Sequence, residues 1–299
     1  MQLRILGTAA GGGYPQWNCA CRLCRQARSR SVGVRSRLHA SIALSADRQH
    51  WYLVNATPDV HFQIESYSAL HPGPGLRDTP LRGVLLTDAE LDHTIGLLVL
   101  REGTPLEIFG TRPVLQTLSD EFPLQPILST YAPFRWIQVN PSQSFMLDDR
   151  VQVTAFPVGV KRPRYAADSD AEGDWVIGYR FEDTRSKGVL MYAPAVEQWT
   201  HELQSELIGA DCALIDGTFW TDDEMQRTEI GSHTAAEMGH IPVSGSGGSL
   251  EHLASCRARR TIYIHINNTN PILDENSPEH RLIIESGLEV GRDGLEIEV

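Results

Sequence analysis

No stretch of the 299 residues comes near the roughly 18 apolar residues that a bilayer-spanning helix needs. The opening MQLRILGTAAGG carries one charge and no apolar run of signal-peptide length, so no secretory leader is read there. Basic charge is also scarce. Lys and Arg number 26 against 38 Asp and Glu, a net charge of −12, which argues against nucleic acid as the main partner because phosphate binding needs a basic surface. Cysteine is sparse and odd in number, at five, and a chain of this length buries a core without disulfides. Free thiols and the missing leader point to a reducing cytoplasm. Internal repeats, low-complexity linkers and nucleotide or flavin motifs are lacking as well. Length alone allows one large domain or two small ones, and leaves self-association open.

What is present begins with short apolar or alternating segments. LRIL, ASIAL, WYLVNA, LRGVLLT, LEIFG, VQVTAF, VIGYRFE, GVLMYA, CALIDG and TIYIHI read as strands. Runs such as LRGVLLT, apolar on both faces, are expected inside a sheet. Helices are expected over TPDVHFQIESYSAL, DHTIGLLVLREG, RPVLQTLSDEF, PAVEQWTHELQSEL and LEHLASCRAR. The order suggests two similar halves, each a sheet with covering helices. VSGSGGSL reads as a turn into a helix and not as a linker.

Cys19, Cys21 and Cys24 fall within six residues of the segment GGGYPQWNCACRLC. Three soft thiolates so close together suit one tetrahedral ion, zinc above all. A fourth donor must come from elsewhere in the chain or from solvent, so the cluster is expected to clasp the N-terminal segment onto a distant element. Cys212 and Cys256 sit in apolar or helical surroundings and read as buried thiols. The arginine-rich stretch Arg22 to Arg37 reads either as a solvated loop after the clasp or as an anion-attracting lip beside a site.

A second constellation is LLTDAELDHTIGL, where a buried strand ends and Asp88, Glu90, Asp92 and His93 follow within six residues. Carboxylates and imidazoles gathered at a strand end suit iron, manganese or zinc. The plainer reading makes Asp92 a helix N-cap and His93 a first-turn residue. His240 in MGHIPVSG and His265 in YIHINNTNP stand where strand-like or turn-like sequence meets a loop, placed to converge on Asp92 and His93.

The strand-end pattern resembles the His-x-His-x-Asp-His signature of the metallo-β-lactamase superfamily. GGGYPQWNCACRLC, NATPDV, LDHTIGLLVLREG, LIDGTFWTDDEM, GHIPVSG and HINNTNPIL resemble stretches of one of its families, that of coenzyme PQQ synthesis protein B. The resemblance covers almost the whole chain. It implies one α/β (α+β) domain over residues 1–299, a four-layer αββα sandwich with a site at one edge.

Departures from the superfamily pattern sharpen the expectation. Asp88 and Glu90 stand where hydrolases of this fold present histidines, and they remain only further candidate ligands. Pro157, Val158 and Gly159 replace the histidine expected after VQVTAF, and Pro194 and its neighbours replace the bridging aspartate expected after GVLMYA. A two-metal hydrolase needs those ligands. Asp92, His93 and His265 survive as a two-histidine, one-carboxylate set, which suits a single Fe(II), with Mn or Zn as alternatives. His240 is then a fourth ligand or a proton shuttle, and Asp216 orients a ligand histidine. Related enzymes complete the cysteine clasp with a histidine three positions after the last metal-binding histidine, and Asn268 occupies that position here.

The role implied by the family is a step in making pyrroloquinoline quinone (PQQ), namely oxygen-dependent hydroxylation of the tyrosine ring of a small, cross-linked Glu-Tyr precursor. The alternatives are a soluble carrier of PQQ or its precursor toward the periplasm and, less favoured, a metal-dependent hydrolase. Arg101 and the arginine-rich stretch are candidates to meet substrate carboxylates, and Trp220, with Trp17 and Phe219, to stack on a phenol ring.

Overall fold

The computed structural model describes residues 1–141 and 143–299. Two runs of strands build two sheets. The first run is β1 (Gln2–Gly7), β2 (Ser41–Ser45), β3 (Trp51–Val54), β4 (Leu81–Leu85), β5 (Glu107–Thr111) and β6 (Arg135–Val139). The second is β7 (Phe145–Leu147), β8 (Val151–Gly159), β9 (Val176–Asp183), β10 (Val189–Ala193), β11 (Cys212–Asp216), β12 (Arg260–Ile264) and β13 (Glu289–Val290). The last strand, β14 (Glu296–Glu298), returns to the first sheet and pairs antiparallel with β1. The sheet orders are β14-β1-β2-β3-β4-β5-β6 and β13-β12-β11-β10-β9-β8-β7.

Each sheet is antiparallel at one end and parallel at the other. β3 to β6 run parallel, as do β10 to β13. Parallel neighbours require crossovers, and helices supply them. Among the described residues these are α2 (Val60–Glu65), α3 (Leu91–Thr94), α4 (Arg112–Asp120), α5 (Leu124–Leu128), α6 (His201–Leu207), α7 (Glu224–Arg227), α8 (Ser249–Ser255) and α9 (Pro278–Glu285), while α1 (Arg22–Arg28) lies between the antiparallel β1 and β2.

Strand periodicity sorts the side chains into layers. In β2 and β3, Ile42, Leu44, Tyr52 and Val54 face the space between the sheets, while Ala43, Trp51 and Leu53 face the helices outside. The second sheet answers with Val153, Tyr179, Phe181, Leu190, Leu214 and Ile262 in the central layer, and with Met191, Ala213 and Ile215 under α6, α8 and α9. Each fully buried Leu or Ile contributes about 1.5–3 kcal/mol. The result is the four-layer αββα sandwich that the family resemblance implies.

Local differences have local causes. The helix expected from Pro194 starts instead at His201, because the Thr200 hydroxyl accepts the Leu203 N–H (3.1 Å) and residues 194–199 stay non-helical. That leaves the Val196 N–H free to bond Asp216 Oδ2 (2.8 Å). The helix expected over DHTIGLLVLREG is one α turn continued as a 3₁₀ turn to Leu98. β6, β7, β13, β14, α1, α5, α7 and α9 carry too weak or too short a pattern to be read beforehand. No helix among the described residues is long and apolar enough to cross a membrane.

Candidate functional site

The carboxyl ends of β3, β4, β11 and β12 open on one edge of the sandwich. Backbone bonds across the sheets close this edge: Ile266 N–H to Thr8 O (2.8 Å), Ala10 N–H to Ile266 O (3.0 Å) and Ile177 N–H to Thr87 O (2.9 Å). Ligand groups from both halves are thereby brought together, as expected of the open ends of parallel strands.

From the first half come Asp92 and His93. Glu90 is extended and makes no side-chain cap, and α3 begins at Leu91, so Asp92 lies inside the helix and is not its N-cap. The Ala56 N–H donates to His93 O (2.8 Å) and the Gly96 N–H to Ala56 O (2.9 Å), and a side chain on Gly96 would collide with the Thr57 carbonyl. This close approach sets His93 against the end of β3.

Asp88 does not face the ligand side. Its carboxylate accepts from His93 Nδ1 (2.7 and 2.8 Å), the Thr87 hydroxyl (2.8 Å) and the Glu90 N–H (2.9 Å). Behind it Asn55, with φ 67°, bonds both the Thr87 N–H (3.0 Å) and its hydroxyl. Asp88 therefore fixes the His93 tautomer with Nδ1–H inward and bare Nε2 outward, the role of a carboxylate behind a ligand histidine. Glu90 has its carboxyl pushed up to about 7, by burial and by the charges of Asp88 and Asp92.

The second half supplies His265, immediately after β12, in the left-handed region at φ 54°. Such a conformation costs about 1–3 kcal/mol and persists only where surrounding bonds impose it. Thr218 imposes it: its hydroxyl lies 2.8 Å from His265 Nδ1, 2.8 Å from His265 O and 2.6 Å from Asp216 Oδ1. With Thr218 donating to Asp216, the hydroxyl accepts from His265 Nδ1–H and leaves Nε2 bare. Asp216 Oδ2 also accepts from His240 Nδ1 (2.7 Å), so Asp216 orients His240 directly and His265 through Thr218. Asp216, His240 and His265 lie close enough to form a second cluster of donors. Asp216 already has both oxygens engaged, by Val196, Thr218 and His240.

Asp92, His93 and His265 come together as one donor face. Asp92 Oδ2 is 3.5 Å from His93 Nε2 and 3.5 Å from His265 Nε2. Both Nε2 atoms are buried without a hydrogen-bond partner among the described residues. Donors at about 2.1 Å from one ion and at a near-tetrahedral angle have about this separation. The three residues therefore fit a metal, and unpaired buried nitrogens are otherwise costly. Burial lowers the His93 pKa, but Asp88 and Asp92 overcome it and push it up to about 9. Burial also opposes ionisation of Asp92, yet His93, His265 and His39 hold it well below the usual carboxylate range.

Two predictions follow from this geometry. Ligation needs neutral His93, so below about pH 9 metal binding must displace its proton. Divalent-metal affinity, measured by chelator competition, is expected to rise by up to about tenfold per pH unit between pH 6.5 and 9 and then level off. A flat profile would remove His93 from the ligand set. Asp88→Asn is expected to weaken that affinity by about tenfold or more. An unchanged value would deny Asp88 its orienting role.

His39 and Thr218 escaped the sequence reading. His39 Nδ1 bonds Asp59 Oδ2 (2.6 Å), and its field reaches Asp92. Gly13, at φ 68°, packs on the His39 ring, and Gly11 lies over the Asp92 carboxylate, within 3.5 Å of a Cβ built there. The signal available was Gly13 in the three-glycine run, since its positive φ and tight approach to the His39 ring favour glycine, whereas the approach of Gly11 to Asp92 is an ordinary contact.

The cysteines form a separate cluster. The Cys19, Cys21 and Cys24 sulfurs lie within 4.8 Å of one another. Asn268 Nδ2 stands over them at 3.2, 3.8 and 3.4 Å, and a half-turn of the amide presents Oδ1 instead. This set fits a zinc ion, with Asn268 at the fourth vertex. Burial and the neighbouring Cys21 push the Cys24 thiol up to about 12, while N–H groups and Asn268 lower Cys21. The arginine-rich stretch serves this clasp. Arg22 pairs with Asp274 (3.1 Å), Arg28 bonds Cys19 O and Gln16 O (2.5 Å each), and Arg37 is buried against Thr8 and Gly291. Arg101 bonds Leu98 O (2.7 Å) and pairs with Glu102 (3.7 Å). Trp220 lines a cleft of about 450 Å³ with Cys21, Glu224 and Arg227, beside the clasp.

Comparison with known proteins agrees with this architecture. A family model described as the beta-lactamase superfamily domain matches residues 50–266. The chain is 43% identical over 303 residues to coenzyme PQQ synthesis protein B of Pseudomonas putida, covering all of both chains, and 43% identical with the same coverage to that of Azotobacter vinelandii. Its fold superposes on Zn(2+)-bound PqqB from Methylobacterium extorquens with a TM-score of 0.93, at 38% identity over the whole of both chains. Matching so completely in sequence and in both layers of the sandwich, the chain belongs to the coenzyme PQQ synthesis protein B family of the metallo-β-lactamase superfamily.

Proposed function

We propose that this protein acts in PQQ biosynthesis as an iron-dependent oxygenase that hydroxylates the tyrosine ring of the cross-linked Glu-Tyr precursor. The observation that carries the reading is the donor face of Asp92, His93 and His265, with two unpartnered Nε2 atoms beside one carboxylate oxygen. A two-histidine, one-carboxylate face is the usual setting of non-haem Fe(II), which supplies oxygen-activating redox chemistry when bound. The names of the full-length relatives support the pathway, and the zinc-bound relative supports metal binding by this fold.

The chain's own residues divide the remaining work. Asp88 holds the His93 Nδ1 proton, and Thr218 orients His265. Asp216 anchors the Nδ1 proton of His240, whose ring stacks 5.4 Å from that of His265. Nε2 of His240 is then the atom at which a proton is taken from or returned to the substrate phenol. Burial lowers the His240 pKa, but Asp216 overcomes it and raises it above the ordinary value. The clasp holds zinc on Cys19, Cys21, Cys24 and Asn268 as architecture.

Hydrolysis through two metals is disfavoured because Asp88, one of the positions needed for the second ion, is committed to His93. The test is oxygen uptake by anaerobically reconstituted protein, with the Glu-Tyr precursor and a reductant. Wild type is expected to consume oxygen only with the precursor present, and Asp92→Ala to lose at least about 100-fold of that rate. Zinc alone in wild type, with no oxygen uptake but tight PQQ binding, would make the protein a carrier.

A further inference from the structure

We propose that Lys161 and Arg164, on the loop following β8, form a cationic rim that binds the carboxylates of the substrate. This deepens the proposed function and rests on its small, acidic precursor. The loop reads Val160-Lys161-Arg162-Pro163-Arg164-Tyr165, three cations in four residues of a chain whose net charge is −12. Elsewhere arginines are commonly paired, as Arg260 is with Glu289 (2.6 Å) and Arg4 with Glu296 (2.7 Å). None of the three loop cations forms an ion pair among those found for the described residues.

The loop is built onto the metal site. At its base Glu197 Oε2 accepts the N–H groups of Val160 (2.6 Å) and Lys161 (3.1 Å). At its far side the Tyr165 hydroxyl donates to Ala89 O (2.5 Å), between Asp88 and Glu90, and the Tyr165 ring meets Phe122 edge-on. Lys161 crosses to the neighbourhood of His240: a Cβ on Gly239 would lie 3.0 Å from its own Cβ, and its ammonium donates to Glu237 O. It is also near enough to Glu90 to favour that carboxylate's charge. Lys161 therefore stands between the helix carrying Asp92 and the loop carrying His240.

The three cations are not equivalent. Arg162 folds back onto Ser169 O (2.6 Å), with its guanidinium 5.3 Å from the Trp175 ring centre. Arg164 is exposed and contacts only the His233 ring (3.2 Å) among its hydrogen-bond partners. Lys161 and Arg164 thus keep donors to spare, three on an ammonium and five on a guanidinium. The floor of the site carries Asp92, with Glu90 and Asp88 behind it, and these charges repel an acidic ligand. A cationic rim compensates by attracting carboxylates and orienting the molecule with its ring toward the donor face.

PQQ, itself a tricarboxylate, is the probe, compared with its trimethyl ester by equilibrium titration on the full-length, metal-loaded protein. Lys161→Gln and Arg164→Gln are each expected to weaken PQQ binding about tenfold, with the double variant losing more, while binding of the ester is unchanged. Arg77→Gln/Arg82→Gln removes the same two charges from exposed positions, Arg82 at the opposite end of β4 from Asp88, and should bind PQQ as wild type does. A Lys161→Gln/Arg164→Gln protein that binds PQQ like wild type would overturn the rim and leave the functional reading standing. Equal weakening by the distant pair would overturn it too, in favour of bulk charge. If wild type bound neither the acid nor the ester, the rim would fall, while oxygen uptake with the Glu-Tyr precursor would still decide the functional reading on its own.

Discussion

Cys24→Ala is expected to release one zinc per chain and to lower the unfolding free energy by about 4 kcal/mol. Cys24 is fully buried, and its sulfur faces the Asn268 amide at 3.4 Å. The clasp joins a segment near the N-terminus to the turn after β12, residues far apart in the chain but adjacent in space. Zinc binding in small peptides yields about 10–16 kcal/mol. The loss here is smaller because Tyr14, Leu23 and Ala27 pack independently into the core and hold the segment partly in place. Chelator-treated wild type, stripped of both ions, should melt no higher than the variant. Cys256→Ala, far from the cluster, should keep its zinc. A Cys24→Ala protein with full zinc and an unchanged melting temperature would show that the thiols are packing groups.

His265→Ala should cut the second metal out of the protein while leaving the first. Metal analysis after anaerobic reconstitution is expected to fall from two ions per chain to one, with affinity at the Asp92 centre down by at least about 100-fold. The substitution removes one of three donors, and it also removes the side chain that Thr218 uses to hold φ at 54°. Thr218→Val separates these effects. It keeps the imidazole but deletes the hydroxyl that bonds His265 and Asp216, so an intermediate loss is expected. Two ions retained in His265→Ala would exclude His265 as a ligand.

Much of the fold was legible because strands repeat every two residues. Ile42 and Leu44 against Ala43, or Tyr52 and Val54 against Trp51 and Leu53, already assign an inner and an outer face. β6, whose residues are mostly partly exposed, and the two-residue β13 lack that contrast and went unread. The site was legible in its residue types: Asp92, His93 and His265 were singled out, and the structure gathers them. Its wiring was not. Asp88 and Glu90 looked like ligands because four donor residues lay within six positions, whereas one turn of α3 points His93 back at Asp88. Arg101 and the arginines after the clasp looked like substrate contacts because charge in sequence carries no direction. The structure ties Arg101 and Arg28 to local carbonyls, Arg22 to Asp274 and Arg37 to buried oxygens.

The layer pattern and the thiol cluster are legible in the sequence because they depend on local periodicity and spacing, while the family and the candidate donor set follow from the resemblance of the motifs. Which atoms face one another depends on long-range packing. His93 and His265 lie 172 residues apart, yet each presents Nε2 to Asp92 at 3.5 Å because β4 and β12, in opposite sheets, open on one edge. Hydrogen-bond direction then assigned the roles. Asp88 and Thr218 take the inner nitrogens and leave the outer ones free, an outcome set by long-range packing that no short window of sequence contains.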